Sequence, residues 1–181
     1  MNALTALGLL WFVLARRSRR FSDLGLRWHA PDLGFGILLC LGGYLAFVLF
    51  YSFVHGALAA AHLLPAPGDP ASMFAMRLSF GVVLFQFLNP VFEELIVRAY
   101  VITEVRRLTN SATLAVACSV GLQMSYHFYQ GLLPALSHSA TFLIYSVYYA
   151  KTNRILAPIV AHFLLDVAGL WYYSVKTGTG G

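Results

Sequence analysis

GVVLFQFLNPVFEELIVRAY, residues 81–100, is an apolar stretch that carries Glu93, Glu94 and Arg98 in its second half. It forms the middle of a helix predicted over residues 72–108, with Asn89-Pro90 marking a kink. An apolar run of this length reads as a membrane helix. A charge near the bilayer centre costs about 2.5–3.5 kcal/mol, so charges there face other protein rather than lipid. Glu94 and Arg98 stand at i and i+4, share one helix face and can pair. Glu93 is rotated about 100° from Glu94 and can point elsewhere. One helix cannot shelter three charges alone, so the stretch predicts a bundle.

The composition agrees. Of 181 residues, 59% are hydrophobic and 10% charged, against about 45–50% and about 25% in an ordinary soluble domain. A domain of this size buries about 70% of its chain surface, and the remainder here would be greasy. A soluble globular protein, a disordered chain and a disulfide-stapled secreted domain are thereby excluded. At about 20 residues per crossing, the length allows one domain with five or six crossings. The expected fold is an all-α polytopic integral membrane bundle of about five or six transmembrane helices. Cys40 and Cys118 stand alone in apolar runs and read as small buried hydrophobes.

The remaining spans follow from hydropathy. Residues 3–15 form a short membrane helix ending in Arg16-Arg17-Ser18-Arg19-Arg20; its shortness suggests a late start or a truncation. Residues 21–29 lie at the membrane surface, and Asp32 is placed to cap the next helix. Residues 33–63 form the second span, with Gly34, Gly36, Gly42 and Gly43 permitting close packing. Pro65 to Pro70 makes a loop, and Thr109 to Ser111 a turn. A fourth helix covers residues 112–130 and is interrupted by Gly131 and Pro134. A fifth covers residues 139–150 and a sixth residues 155–175.

The net charge is +5, and the basic residues bracket apolar runs. That pattern orients membrane helices and does not imply nucleic acid. Alternating the spans puts Arg16, Arg17, Arg19, Arg20, Arg27, Arg106, Arg107, Lys151 and Arg154 on one side, which would face the cytoplasm.

Two further groups of polar residues fall inside spans. His127 lies late in the fourth helix, and His162 and Asp166 sit at i and i+4 in the sixth. Glu93, His127, His162 and Asp166 converging in a dry cavity can hold a water and activate it. Counting about 1.5 Å per residue, His127 lies roughly 25 Å from its helix start and His162 about 12 Å from Arg154. The two meet only if the fourth helix tilts or starts outside the bilayer, or if the Pro90 kink adjusts depths. His29, His55, His62 and His138 fall near span ends and read as interfacial. Gln123 and Tyr126 flank His127 and are candidates to line the cavity.

Glu93-Glu94-Leu-Ile-Val-Arg98, then His127, then His162-Phe-Leu-Leu-Asp166 resembles the CPBP family of intramembrane proteases, which includes the CAAX endopeptidases and bacterial Abi proteins. The family pattern is EExxxR, FxxxH and HxxxN or HxxxD; Gln123 stands where the second motif has Phe. The resemblance covers about residues 72–175; the chain then reads as a short N-terminal membrane helix and basic interfacial segment over residues 1–30, a protease core over 31–176 and a flexible tail over 177–181.

It implies that Glu93 is the general base, and that His127 holds the water or shuttles its proton. Glu94, fixed by Arg98, orients the site, and His162 donates to the oxyanion. Asp166 is protonated, or orients His162, or ligates a metal. Glu93, His127, His162 and Asp166 would make a zinc or other divalent-metal set, and a metal-free glutamate mechanism stands equally beside it. HExxH is absent. The implied partners are membrane lipid and a peptide or protein substrate, either lipidated or a bacteriocin precursor. The implied location is a prokaryotic plasma membrane. Two other readings are a catalytically silent scaffold or immunity protein of the same fold, and a proton or ion relay. The relay is disfavoured because no paired repeat halves are visible.

Overall fold

A computed structural model describes residues 3–63 and 80–177. The expected loop at 65–70, the first residues of the third helix and the tail from 178 lie outside them. The described chain is all-α. Its helices are α1 (Ala3–Arg16), α2 (Pro31–Ala60), α3 (Phe80–Glu93), a π-helical segment (Glu94–Tyr100), α4 (Val101–Thr109), α5 (Ala112–Ser125), α6 (Leu132–Thr152) and α7 (Leu156–Thr177). Short 3-10 turns cover Phe21–Leu24 and Phe128–Gln130. α2 packs along α6 and α7, α5 between α4 and α6, and α3 against α7 and α1.

Several boundaries differ from expectation for identifiable reasons. Pro134 is the third residue of α6, where a helix needs no N–H from it, so it starts that helix instead of interrupting it. The single helix α6 therefore replaces an interruption followed by a short helix. Asp32 does not cap α2. It is buried and pairs with Arg154 at 2.7 Å, while Ala30 precedes Pro31 at the helix start. Thr177 still belongs to α7. Cys118 is exposed on α5, not buried.

Two of the five α2 glycines serve close packing. A Cβ on Gly36 would meet the Val160 side chain at 2.6 Å, and one on Gly43 would meet Thr141 at 2.8 Å. Thr141 Oγ1 also donates to the Gly43 carbonyl at 2.7 Å. Gly34, Gly42 and Gly56 face open space. The rest of α2 turns large apolar side chains outward, including Leu38, Leu41, Leu45, Leu49 and Phe53. Among the described residues, Pro31–Ala60 is the helix long and apolar enough to cross a membrane; only 11% of its apolar window is buried in the protein. An unburied apolar helix belongs in lipid, whereas a soluble core helix would be covered. Ala3–Arg16, Ala112–Ser125 and Leu156–Tyr172 are apolar but shorter.

The arginines gather at one end. Glu104 on α4 accepts from Arg17 at 2.6 Å, Arg19 at 2.7 Å and Arg107 at 2.9 Å, tying the segment after α1 to α4. Burial alone would raise its carboxyl, but hydrogen bonds from Arg107 and Arg17 outweigh burial and hold it below the ordinary range. Arg154 contacts His29 as well as Asp32. Gly25, at φ 78°, sits so close to Asn153 that any side chain would strike its carbonyl. Above this end lies the apolar core: Leu10 and Leu14 of α1, Leu24, Leu95, Ala99, Ile102, Ala115, Val116, Tyr149, Ile155 and Ile159. It fixes the π-helical segment, and that segment carries the charges.

Candidate active site

Pro90 lies inside α3 and cannot donate a backbone hydrogen bond. Four residues later the helix widens into the π segment, where the Val101 N–H reaches the Ile96 carbonyl. Wide turns of this kind are concentrated at functional sites. Neighbouring helices bond its carbonyls: Ser119 Oγ donates to Val97 at 2.8 Å, and the Tyr149 hydroxyl to Ala99 at 3.4 Å. The predicted kink is thus a change of helix pitch, and it sets Glu93, Glu94 and Arg98 on the protein-facing side.

Glu94 and Arg98 are completely buried and form an ion pair. Arg98 further donates from Nη2 to Gln123 Oε1 at 2.6 Å and from Nε to Ser146 Oγ at 3.2 Å, and its guanidinium lies over the Tyr145 ring at 5.3 Å. Glu94 uses its other oxygen to accept from His162 Nδ1 at 2.9 Å. A carboxylate already held by a guanidinium can only accept here, so Nδ1 carries the hydrogen. His162 Nε2 faces Asp166 Oδ1 at 3.6 Å, within ion-pair range but longer than a hydrogen bond. His162 is therefore clasped between two carboxylates.

Glu93 has different company. Asn89 Nδ2 donates to Oε1 at 3.0 Å and the Tyr126 hydroxyl to Oε2 at 2.8 Å. Both donors are neutral. Glu94 is paired with the Arg98 guanidinium, whereas the hydrogen bonds to Glu93 come from neutral donors. Glu93 is also the one of the two with some exposure, 8% against 0%.

His127 does not lie on a helix. α5 ends at Ser125, and His127 sits in the turn before Phe128–Gln130. Its Nδ1 approaches the Gln123 carbonyl at 2.8 Å. A carbonyl only accepts, so in the neutral ring Nδ1 is protonated and Nε2 is an acceptor. The helix expected over residues 112–130 thus ends five residues early. Glu93 and His162 act electrostatically on both His127 and Asp166, which places the four in one region.

Three partners of the site fell outside the sequence reading. Asn89 precedes Glu93 by one helical turn, a spacing that signals contact. Ser146 is a buried polar residue of α6, as are Ser137 and Thr141. His138, expected at a membrane interface, is partly buried; its ring lies 5.5 Å from that of His127 and 4.7 Å from that of Phe47. Tyr126 and Gln123, candidates to line the cavity, both touch the charged residues.

Among the described residues, no three His, Cys, Asp or Glu side chains gather as a group able to hold a metal ion. Glu94 takes His162 Nδ1 and the Gln123 carbonyl takes His127 Nδ1, which leaves each Nε2 as the ring atom open to a ligand, while both oxygens of Glu93 are turned to Asn89 and Tyr126. This arrangement does not fit the zinc set Glu93, His127, His162 and Asp166. A cavity of about 330 Å³ lined by Asp23, Thr103, Arg106, Arg107, Tyr149 and Asn153 lies at the basic end, away from these groups.

Residues 75–168 match the family described as type II CAAX prenyl endopeptidase Rce1-like. No curated protein and no solved structure matches the chain.

Proposed function

The chain belongs to the type II CAAX prenyl endopeptidase Rce1-like family, a membrane-embedded protease family, and we propose that it is an intramembrane endopeptidase with Glu93 as its general base. The unequal treatment of the two adjacent carboxylates carries this reading. Glu94 is spent on Arg98 and His162; the hydrogen bonds to Glu93 come from neutral donors. The protease core covers residues 31–176, and the helices around α2 cross the bilayer together. The substrate is a peptide or protein reached within the membrane, with a lipidated C-terminal segment as the class to test first.

In this reading Glu93 removes a proton from water as the water attacks the peptide carbonyl. The Nε2 lone pair of His127 accepts a hydrogen bond from the same water and fixes its direction. Protonated at both nitrogens, His162 presents Nε2–H to the developing oxyanion, with Glu94 behind it and Asp166 beside it. Asp166 thus orients His162 and does not itself donate. The proton on Glu93 then passes to the leaving amine. A positioned general base is worth about 10²–10⁴-fold, and one oxyanion donor about 10²–10³-fold. No step is routed through a metal.

The test is cleavage of a farnesylated, internally quenched CAAX peptide by the full chain in proteoliposomes. Activity in the native chain that falls at least a hundredfold in Glu93→Gln, with the protein folded, supports the assignment. Equal cleavage by both sinks it. Absence of any Glu93-dependent cleavage, of this peptide or of host membrane proteins, favours a scaffold of the same fold.

A further inference from the structure

Gln123 is completely buried on α5, and a long polar side chain in that position needs a reason. Its Oε1 accepts from Arg98 at 2.6 Å, and its backbone carbonyl accepts from His127 Nδ1 at 2.8 Å. Arg98 pairs with Glu94, and Glu94 accepts from His162 at 2.9 Å. An unbroken series of contacts therefore runs from His127 through Gln123, Arg98 and Glu94 to His162. Among the described residues, Gln123 is the one that touches the first histidine and also anchors the arginine serving the second.

Arg98 has two carboxylates within its electrostatic reach. It pairs with Glu94, and Glu93 also acts on it. Oε1 of Gln123 and Oγ of Ser146 fix the guanidinium by two further edges. Without the Gln123 anchor, one N–H edge of a buried guanidinium lacks an acceptor. Glu93 is a second carboxylate that acts on it, and pairing there would neutralise the base and release Glu94 from its alignment with His162.

We propose that Gln123 is a positioning residue that keeps Arg98 on Glu94 and off Glu93, and so holds the His162 ring in register. The proposal rests on the protease reading for its catalytic consequence, but its structural consequence can be measured without a substrate.

The experiment uses the full chain, labelled with ¹⁵N-histidine, in lipid nanodiscs. The His162 Nδ1–H resonance is assigned by its loss in His162→Gln. Gln123→Met fills the same volume without an acceptor. It should abolish that resonance or speed its exchange with water at least tenfold, while the melting profile shows a folded protein. Gln123→Glu, which keeps an acceptor in place, should retain the resonance. Gln123→Asn withdraws the acceptor by one methylene and should behave as Gln123→Met does, so it decides the matter if the Met variant does not fold.

With the farnesylated peptide as probe, Gln123→Met should lower kcat at least tenfold and leave KM within about twofold, as expected when ground-state binding is untouched. A native resonance in Gln123→Met, equal loss in the Met and Glu variants, or unchanged kcat overturns the proposal. If the native chain cleaves nothing, the protease reading fails, and the resonance still decides whether Gln123 positions His162.

Discussion

Replacing Arg98 by Met tests the electrostatic centre of the site. Arg98 is completely buried and satisfies Glu94, Gln123 and Ser146 together. Met preserves most of the volume and removes every donor. Glu94 is then a buried carboxylate with no cation, and breaking a buried pair from one side costs about 3–5 kcal/mol. For a chain of this length each kcal/mol moves the melting temperature by about 2–4 °C, so the expected drop is about 6–20 °C. The diagnostic step is the double variant Arg98→Met/Glu94→Gln. It removes both charges, and its Gln oxygen can still accept from His162. It should therefore be more stable than Arg98→Met alone, with a coupling of about 2–3 kcal/mol. Thermal melts of the four proteins in one detergent measure this directly. Native-like melting of Arg98→Met, or strictly additive losses in the double variant, would refute the reasoning.

Three further outcomes follow from particular contacts. Tyr126→Phe deletes the hydroxyl that donates to Glu93 at 2.8 Å; it should slow peptide cleavage about tenfold while costing only about 1 kcal/mol of stability, read from kcat and melting in the same preparation. Gly43→Ala should destabilise by about 1–3 kcal/mol through overpacking, because its Cβ would meet Thr141 at 2.8 Å, whereas Gly42→Ala, which meets nothing, should melt like the native chain. Glu104 contributes a pH-dependent term. Its folded carboxyl lies below the ordinary value of 4.5, so its stabilisation is full above that value and is lost as the pH falls through the folded one. Native protein should lose this part of its stability on acidification below about pH 4.5, and Glu104→Gln should show a correspondingly flatter melting-against-pH curve.

The local pairings were visible in the sequence because they rest on helical spacing alone. Glu94 and Arg98 pair as their separation requires, and the all-α fold follows from apolar runs with charges hidden inside. The partners that assign roles were not visible, because they come from distant helices. His162 and Asp166 share a face, yet the shorter contact of His162 is to Glu94 on another helix. Nothing in a sequence separation of 68 residues encodes that distance. Tyr126 meets Glu93 only because α5 ends at Ser125 and turns the chain back. Pro90 announced a disturbance, but its form as a π turn depends on the core packed around Leu95 and Ala99. Asp32 had the chemistry of a cap; Arg154, brought to it by the docking of Gly25 on Asn153, supplied a stronger partner. The ring contacts of His138 to His127 and Phe47 were not visible, because hydropathy locates a span end without saying which ring it faces.

The central claim is that Glu93 performs proteolysis in the membrane. The most direct measurement compares membrane peptides and new protein N-termini, by mass spectrometry, in cells carrying the native chain or Glu93→Gln at matched expression. The account predicts a set of termini present only with the native chain, which would also reveal the substrate. Identical termini in both, with each protein folded and in the membrane, would contradict it.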